Sequence, residues 1–348
     1  MRMPSDPPGA LRLHYNENTA GCSPAVLDAL RAMTREDVAT YPDYTAITEK
    51  TARWLGVDAE WVHLTNGLDE GLHAVAQFGA WHADAGHASR RPQFLLPEPS
   101  FEMFDEFSRV VRADLVRIQP EPDFHFPLTS LLDAVTPSTR VAYLVSPNNP
   151  TGLSVPAAVV ETIAASIPQA LVFVDEAYGD FAGRTLVGAA LDRHRNLVVG
   201  RTFAKGHGLA GLRVGALVAH PDTIARLQAM LPPFNVNVCA IRALDAALDD
   251  QGYLDWYVAQ ATESKARVYD FCARHDLKYW PSDANFVLVK IGTRAADVAD
   301  GLRERGILVR DKSPAPGCGG CLRITAGVVD HTARTLAALE ETLASRAN

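Results

Sequence analysis

Residues 196–219 read NLVVGRTFAKGHGLAGLRVGALVA. Two short apolar runs, NLVVG (196–200) and GALVA (215–219), enclose a glycine-rich loop that carries one lysine, Lys205. Apolar runs without polar alternation are the pattern of strands covered on both faces. A surface lysine belongs on a polar helix face, whereas this one stands between two buried strands among very small side chains. A lysine amine is a nucleophile only when deprotonated, and burial or a neighbouring cation lowers its pKa towards that state. Thr202 precedes it by three residues and Arg213 follows by eight. A hydroxyl, an amine and a guanidinium around one turn suit a phosphate held beside a reactive amine. On this fragment alone, a plain loop lysine is the commoner reading.

Working outward, QFLL (93–96), DLVRI (114–118), VAYLVS (141–146) and LVFVDEA (171–177) also read as strands. Helix-like stretches such as DEGLHAVAQFGAWHA (69–83) and AAVVETIAASI (157–167) lie between them. This alternation predicts an α/β fold with a mostly parallel sheet sandwiched by helices. After about residue 225 the pattern changes to one long helical stretch (239–275), then ANFVLVKIG, RAADVADGLRERGILVRD, CLRITAG and a final helix. That order predicts a large domain over 31–230 and a smaller α+β domain over 231–348. Residues 1–30 form an N-terminal arm joining the smaller domain, and the boundary is expected in a helix or near LPPFNVN (231–237).

The chain has 348 residues, 47% of them hydrophobic and 21% charged, with a net charge of −8. A broad basic face for nucleic acid is not expected from that balance. No run of 18 apolar residues is present, so no membrane-spanning helix is expected. The N-terminus lacks an apolar signal core and reads as a loose arm. Five cysteines in no even framework favour a reducing, cytoplasmic compartment. Cys318 and Cys321 form a C-x-x-C within SPAPGCGGC, with no second pair, and read as a loop; no metal is expected.

Other stretches carry weaker signals of their own. Asp175 ends an apolar strand with Tyr178 three residues on, which suits a ligand crevice or a helix cap. Asn149 in SPNNPTG (146–152) follows the strand VAYLV and suits a turn or an amide donor to a ligand. LTNGLDEGLHAV (64–75) is strand end, glycine turn and helix, a geometry that points the backbone N–H groups near Gly67, Leu68 and Asp69 at an anion. Phe101 offers a ring for stacking, though an aromatic residue is more often core.

Together these stretches are more specific than any one of them. With HYNENTAGCSP (14–24), TYPDY (40–44), PSDANFVLV (281–289) and CLRITAG (321–327), the sequence resembles the fold-type I pyridoxal-phosphate aminotransferases. Within them it is most similar to the histidinol-phosphate aminotransferases, over residues 14 to 327. The resemblance implies pyridoxal 5'-phosphate as cofactor, bonded to Lys205 as the catalytic residue. It implies Asp175 at the ring nitrogen, Asn149 and Tyr178 at the phenolic oxygen, and Phe101 against the ring. Gly67, Leu68, Asp69, Thr202 and Arg213 would cradle the phosphate, with Tyr41 reaching it from a partner subunit of a homodimer. Arg323 matches the arginine that grips a substrate carboxylate, and Arg310 the one near a substrate phosphate. Tyr15 and Asn285 are expected in the substrate wall.

The implied reaction moves an amino group between an amino donor and a 2-oxo acid by a ping-pong route. Donors of the histidinol-phosphate type come first and aromatic amino acids second. A lyase of the threonine-phosphate decarboxylase kind, or an amino-acid cyclase, uses the same scaffold and is the alternative. A binding domain that kept the scaffold is disfavoured by the intact Lys205, Asp175 and Arg213. A nicotinamide enzyme is disfavoured because no G-x-G-x-x-G follows an early strand. The sequence departs from the family at Ala204, Gly206 and His207, beside the lysine. His207 reads as a structural histidine ahead of a second titrating group.

Overall fold

A computed structural model describes residues 6–81 and 91–345. The last two residues of the expected helix 69–83 lie outside the described residues, as do residues 1–5 of the expected arm. The chain opens on a two-residue strand, β1 (Leu11–Arg12). Seven strands then build one sheet: β2 (Val62–Thr65), β3 (Gln93–Pro97), β4 (Asp114–Ile118), β5 (Thr139–Val145), β6 (Leu171–Asp175), β7 (Leu197–Thr202) and β8 (Gly215–Ala219). Five more follow: β9 (Lys278–Trp280), β10 (Phe286–Lys290), β11 (Ile307–Leu308), β12 (Arg310–Asp311) and β13 (Cys321–Thr325).

The seven-stranded order is β2-β8-β7-β6-β5-β3-β4. Strands β4, β3, β5, β6 and β7 run parallel, and only β8 is antiparallel to both its neighbours. The central strand β6 is buried at every position, because apolar clusters fill both faces of the sheet. This is the α/β fold with a mostly parallel sheet that the apolar runs imply. Parallel register brings the ends of β5, β6 and β7 level: Val145 lies beside Asp175, and Asp175 beside Gly200. Loops leaving those ends converge on one crevice, as in open α/β sheets generally.

A second, four-stranded sheet has the order β12-β13-β10-β9, antiparallel throughout. Its core draws on Val287, Val289, Leu322, Ile324 and the helices Ala295–Glu304 and Val329–Ser345.

Three expectations are corrected. The long helical stretch is two helices, Val238–Asp249 and Gln251–Arg274, because Asp250 leaves helical geometry and caps the second through Tyr253 N at 3.1 Å. The first of these helices buries Ala240, Ile241 and Leu244 in the same core as Val26 and Ile47, so it packs with the seven-stranded sheet. The N-terminal arm is not loose from Leu11 onward. β1 pairs in parallel with β11, Leu13 N–H donates to Leu308 at 2.8 Å, and Leu13 is buried in the core of the four-stranded sheet. Backbone pairing and an apolar anchor hold a segment that composition alone describes as polar and unpatterned.

Candidate active site

Asp175 sits at the end of β6, buried, with one carboxylate oxygen accepting from Ala177 N–H at 2.8 Å. Burial raises its pKa to about 7, offset in part by that hydrogen bond and by Lys205. Lys205 lies in the loop between the antiparallel strands β7 and β8, and its Nζ donates to the Tyr15 carbonyl at 2.9 Å. The same Nζ is 5.8 Å from the centre of the Tyr178 ring. Burial, and then the Arg323 guanidinium, lowers the pKa of Lys205 to about 8. The amine therefore loses its proton far more readily than an exposed lysine.

Both groups open into one cavity of about 440 Å³. Tyr15, Leu68, Asp69, Phe101, Asn149, Tyr178, Thr202, Arg213, Arg310 and Arg323 line it with them. Thus most of the residues singled out in the sequence come together, although they span more than 300 positions. Leu68 opens the helix Leu68–Trp81, whose N-terminal N–H groups have no partner inside the helix. Arg213 has a left-handed φ of 56° and reaches Asp69 at 3.0 Å across Gly67. A Cβ on Gly67 would stand 2.5 Å from the Arg213 guanidinium, so glycine here makes room for the arginine.

The substrate side is built by the four-stranded sheet. Arg323 on β13 is buried; its Nη1 donates to Asn149 Oδ1 and its Nη2 to the His14 carbonyl. Its Nε–H is buried without a hydrogen-bond partner. Arg310 on β12 stands directly opposite Arg323 in the antiparallel register. Like charges so placed repel, so the pair suits anionic ligands.

Three residues from the sequence reading stand elsewhere. Asn285 is fully buried behind Asn16, donating to its carbonyl at 3.2 Å, and does not line the cavity. Gly67 backs Arg213 from outside the cavity lining. Tyr41 is 78% exposed, stacked on Phe234 at 4.5 Å, and belongs to a different surface. His207 is buried with its ring edge-on to Trp54 and Phe203, outside the cavity, and burial lowers its pKa. Gly206 is tightly enclosed: a Cβ there would meet Leu254 at 2.6 Å and Asp180 at 2.7 Å. Cys318 and Cys321 are buried and unpaired, with Cys321 opening β13 rather than lying in the loop. Among the described residues no group of three or more His, Cys, Asp or Glu could hold a metal ion.

Four polar cavity residues were not singled out in the sequence: His14, Asn16, Glu102 and Lys312. Asn16 is buried with φ 56° and donates to the Tyr178 hydroxyl at 2.9 Å. Lys312 had a legible signal, since strand residues two apart share a face and it follows Arg310 by two.

A model of the family described as aminotransferase class I and II matches residues 8–339. The chain belongs to the class I and II aminotransferases. A histidinol-phosphate aminotransferase of Thiobacillus denitrificans is 35% identical over 96% of this chain and 86% of its own length. That of Symbiobacterium thermophilum is 34% identical over 96% of this chain and 90% of its own length. The crystal structure of the Sinorhizobium meliloti histidinol-phosphate aminotransferase with pyridoxal-5'-phosphate superposes with TM-score 0.86 at 27% identity. It covers 97% of this chain and 92% of that one.

This aminotransferase uses pyridoxal 5'-phosphate, and its donor set fits that cofactor. Asp175 is a buried carboxylate near neutrality that would take a ring N–H, and Lys205 is a buried amine near neutrality. Leu68 and Asp69 at a helix N-terminus, Thr202 and Arg213 line the same cavity and would suit the cofactor's phosphate. The cofactor-free protein should betray the cost of Asp175. Its folded pKa lies above the unfolded 3.8, so the penalty accumulates from pH 3.8 to about 7 and is constant above. Asp175→Asn apoprotein is expected to melt about 2–5 °C above the parent at pH 8 and level with it near pH 4. Equal melting at both pH values in calorimetry would contradict a strained carboxylate.

Proposed function

We propose that the substrate is an amino donor bearing a distal anion, of the histidinol-phosphate type, paired with a 2-oxo acid acceptor. Aromatic amino acids are the second choice. The observation that carries this reading is the opposition of Arg310 and Arg323 across β12 and β13, both facing the cavity that holds Lys205. An arginine suits the carboxylate of a 2-oxo acid through two parallel hydrogen bonds, and two arginines together suit the phosphate that histidinol phosphate carries in place of a carboxylate.

When bound, the cofactor supplies an aldehyde and a ring that withdraws electrons from the substrate carbon. Asp175 would hold the ring nitrogen's proton, and Asn149 and Tyr178 the phenolic oxygen. Phe101 would cover one ring face. Leu68 and Asp69 N–H groups, Thr202 and Arg213 would hold the phosphate, with Arg213 leaving Asp69 to do so. Lys205 Nζ, whose pKa burial lowers to about 8, would accept the substrate Cα proton and return it on the other side of the reaction. Tyr15 forms the wall next to the amine.

Homodimerisation belongs to the same reading: Tyr41 and Phe234 make an exposed aromatic pair away from the chain's own cavity, suited to a partner subunit's site. A cytoplasmic location fits five unpaired cysteines. We place the division between the larger and smaller domains at Asp250, where the chain leaves the core of the seven-stranded sheet.

The test is a donor screen with the holoenzyme. Histidinol phosphate without a 2-oxo acid should remove the cofactor's aldehyde absorbance stoichiometrically, and addition of a 2-oxo acid should restore it. Release of carbon dioxide from a phosphorylated amino acid, with no 2-oxo acid needed, would replace transfer by decarboxylation.

A further inference from the structure

Two of the departures beside Lys205, Gly206 and His207, answer to one buried carboxylate. Asp180 belongs to the short helix Gly179–Ala182 that follows Tyr178, and its side chain is 4% exposed. Its Oδ1 accepts from Arg201 Nη2 at 2.6 Å. Arg201, next to Thr202 on β7, also donates to Glu176 at 3.2 Å, and its guanidinium lies 5.6 Å from the centre of the Trp54 ring. Glu176 is well supplied besides, accepting from Thr185 Oγ1 at 2.6 Å and from Leu186 N–H at 2.7 Å. Asp180 Oδ2, by contrast, has no hydrogen-bond partner.

His207 faces that oxygen. Its Nδ1 lies 3.8 Å from Asp180 Oδ2 and is likewise buried without a hydrogen-bond partner. Buried polar atoms left unpaired are costly, and these two stand opposite one another. An approach of about 1 Å makes a normal N–H···O bond. Burial lowers the His207 pKa, with Asp180 opposing and Arg201 assisting, so the ring is uncharged at neutral pH and carries one N–H. Trp54 and Phe203, edge-on at 5.2 and 5.3 Å, fix the plane of the ring. A Cβ on Gly206 would stand 2.7 Å from the same Oδ2. An alanine at 206 would therefore push the carboxylate away, and a phenyl ring at 207 would leave it without a donor.

The Lys205 turn is held from its other side by the N-terminal arm. Asn18 donates to the Gly206 carbonyl at 2.8 Å, and Lys205 Nζ to the Tyr15 carbonyl at 2.9 Å. We infer that His207 is a positioning residue for Lys205: its uncharged imidazole donates Nδ1–H to Asp180 and so anchors the Lys205 turn to the segment that carries Asp175 and Tyr178. His207 lies outside the cavity and acts through the lysine. The inference rests on Lys205 as the reactive amine and is independent of the donor.

The experiment uses the full chain, with and without cofactor, and its His207→Phe and His207→Asn variants. Phenylalanine keeps the ring packing and removes the donor, whereas asparagine restores an N–H near the place of Nδ1. The first readout is nitrogen NMR of ring-labelled histidine in the cofactor-free parent, the His207 signals being those missing from the variants. They should show an uncharged ring protonated on Nδ1 throughout pH 7 to 9; a proton on Nε2 alone, or an imidazolium, would overturn the inference. The second is the pH midpoint for acylation of Lys205 in the cofactor-free chain, followed by mass measurement. It should lie near 8 in the parent. In His207→Phe it should rise by about 0.5–1 unit, because a released amine loses the burial that lowers its pKa, and His207→Asn should recover part of the shift. In the holoenzyme, kcat should fall about three- to tenfold in His207→Phe with KM little changed. An unmoved midpoint with unchanged kcat would reduce His207 to packing and overturn the inference. Should His207→Phe not fold, the tautomer in the parent decides alone. If Lys205→Ala keeps its turnover while tautomer and midpoint behave as stated, the assignment of the reactive amine fails and the anchor stands.

Discussion

Lys205→Ala is expected to lower kcat by about 10⁴-fold or more, because one side chain supplies both the nucleophile and the proton carrier. No neighbour can take over. Asn149, Tyr178, Thr202 and the guanidinium of Arg213 line the cavity with Asp175 and none is an amine, while the cavity's other lysine, Lys312, pairs with Glu102. The substitution should leave the cofactor cradle intact, since Asp175, Thr202 and Arg213 do not depend on Lys205 for their positions. Borohydride reduction followed by intact-chain mass measurement checks the assignment. The parent should gain the mass of one cofactor, and the variant none. Near-normal turnover, or cofactor still fixed to the variant chain, would move the reactive amine elsewhere.

Arg323→Lys is expected to raise KM for every amino donor by about 10- to 100-fold, with a smaller effect on kcat. The guanidinium is clamped by Asn149 and the His14 carbonyl and lies 5.3 Å from the Phe286 ring, so its plane is set before substrate arrives. Its buried Nε–H has no hydrogen-bond partner. A lysine keeps the charge but presents one point donor on a flexible stem, which cannot repeat the two parallel bonds. The readout is a KM series over phosphorylated and unphosphorylated donors alike. Unchanged KM values would place the carboxylate grip elsewhere. A rise confined to phosphorylated donors would exchange the roles of Arg323 and Arg310.

The two predictions draw on different kinds of information. Lys205 stood out because its signal is local, with two apolar runs, a glycine-rich loop and a cation eight residues on, but its role came from the resemblance to the aminotransferases. The ends of β5, β6 and β7 were legible for the same reason. A parallel strand buried on both faces is a continuous apolar run, and the polar residue that terminates it is read directly as Asp175 or Thr202. Asn285 shows the limit of such reading. It lies on the way into β10, but Asn16, arriving from the other end of the chain, stands between it and the cavity.

The sequence by itself determined the α/β class, because short-range apolar periodicity encodes it, and its resemblance to the pyridoxal-phosphate aminotransferases implied the cofactor and nominated Lys205. Only the tertiary structure decided which cations face one another. Arg310 and Arg323 become neighbours through antiparallel register, where a slip of one residue would turn either side chain to the opposite face. Lys312 becomes a buried cation beside Glu102 because two segments about 200 positions apart meet at one rim. His207, two positions after Lys205 in sequence, turns into the core, while residues brought from far away line the cavity with the lysine.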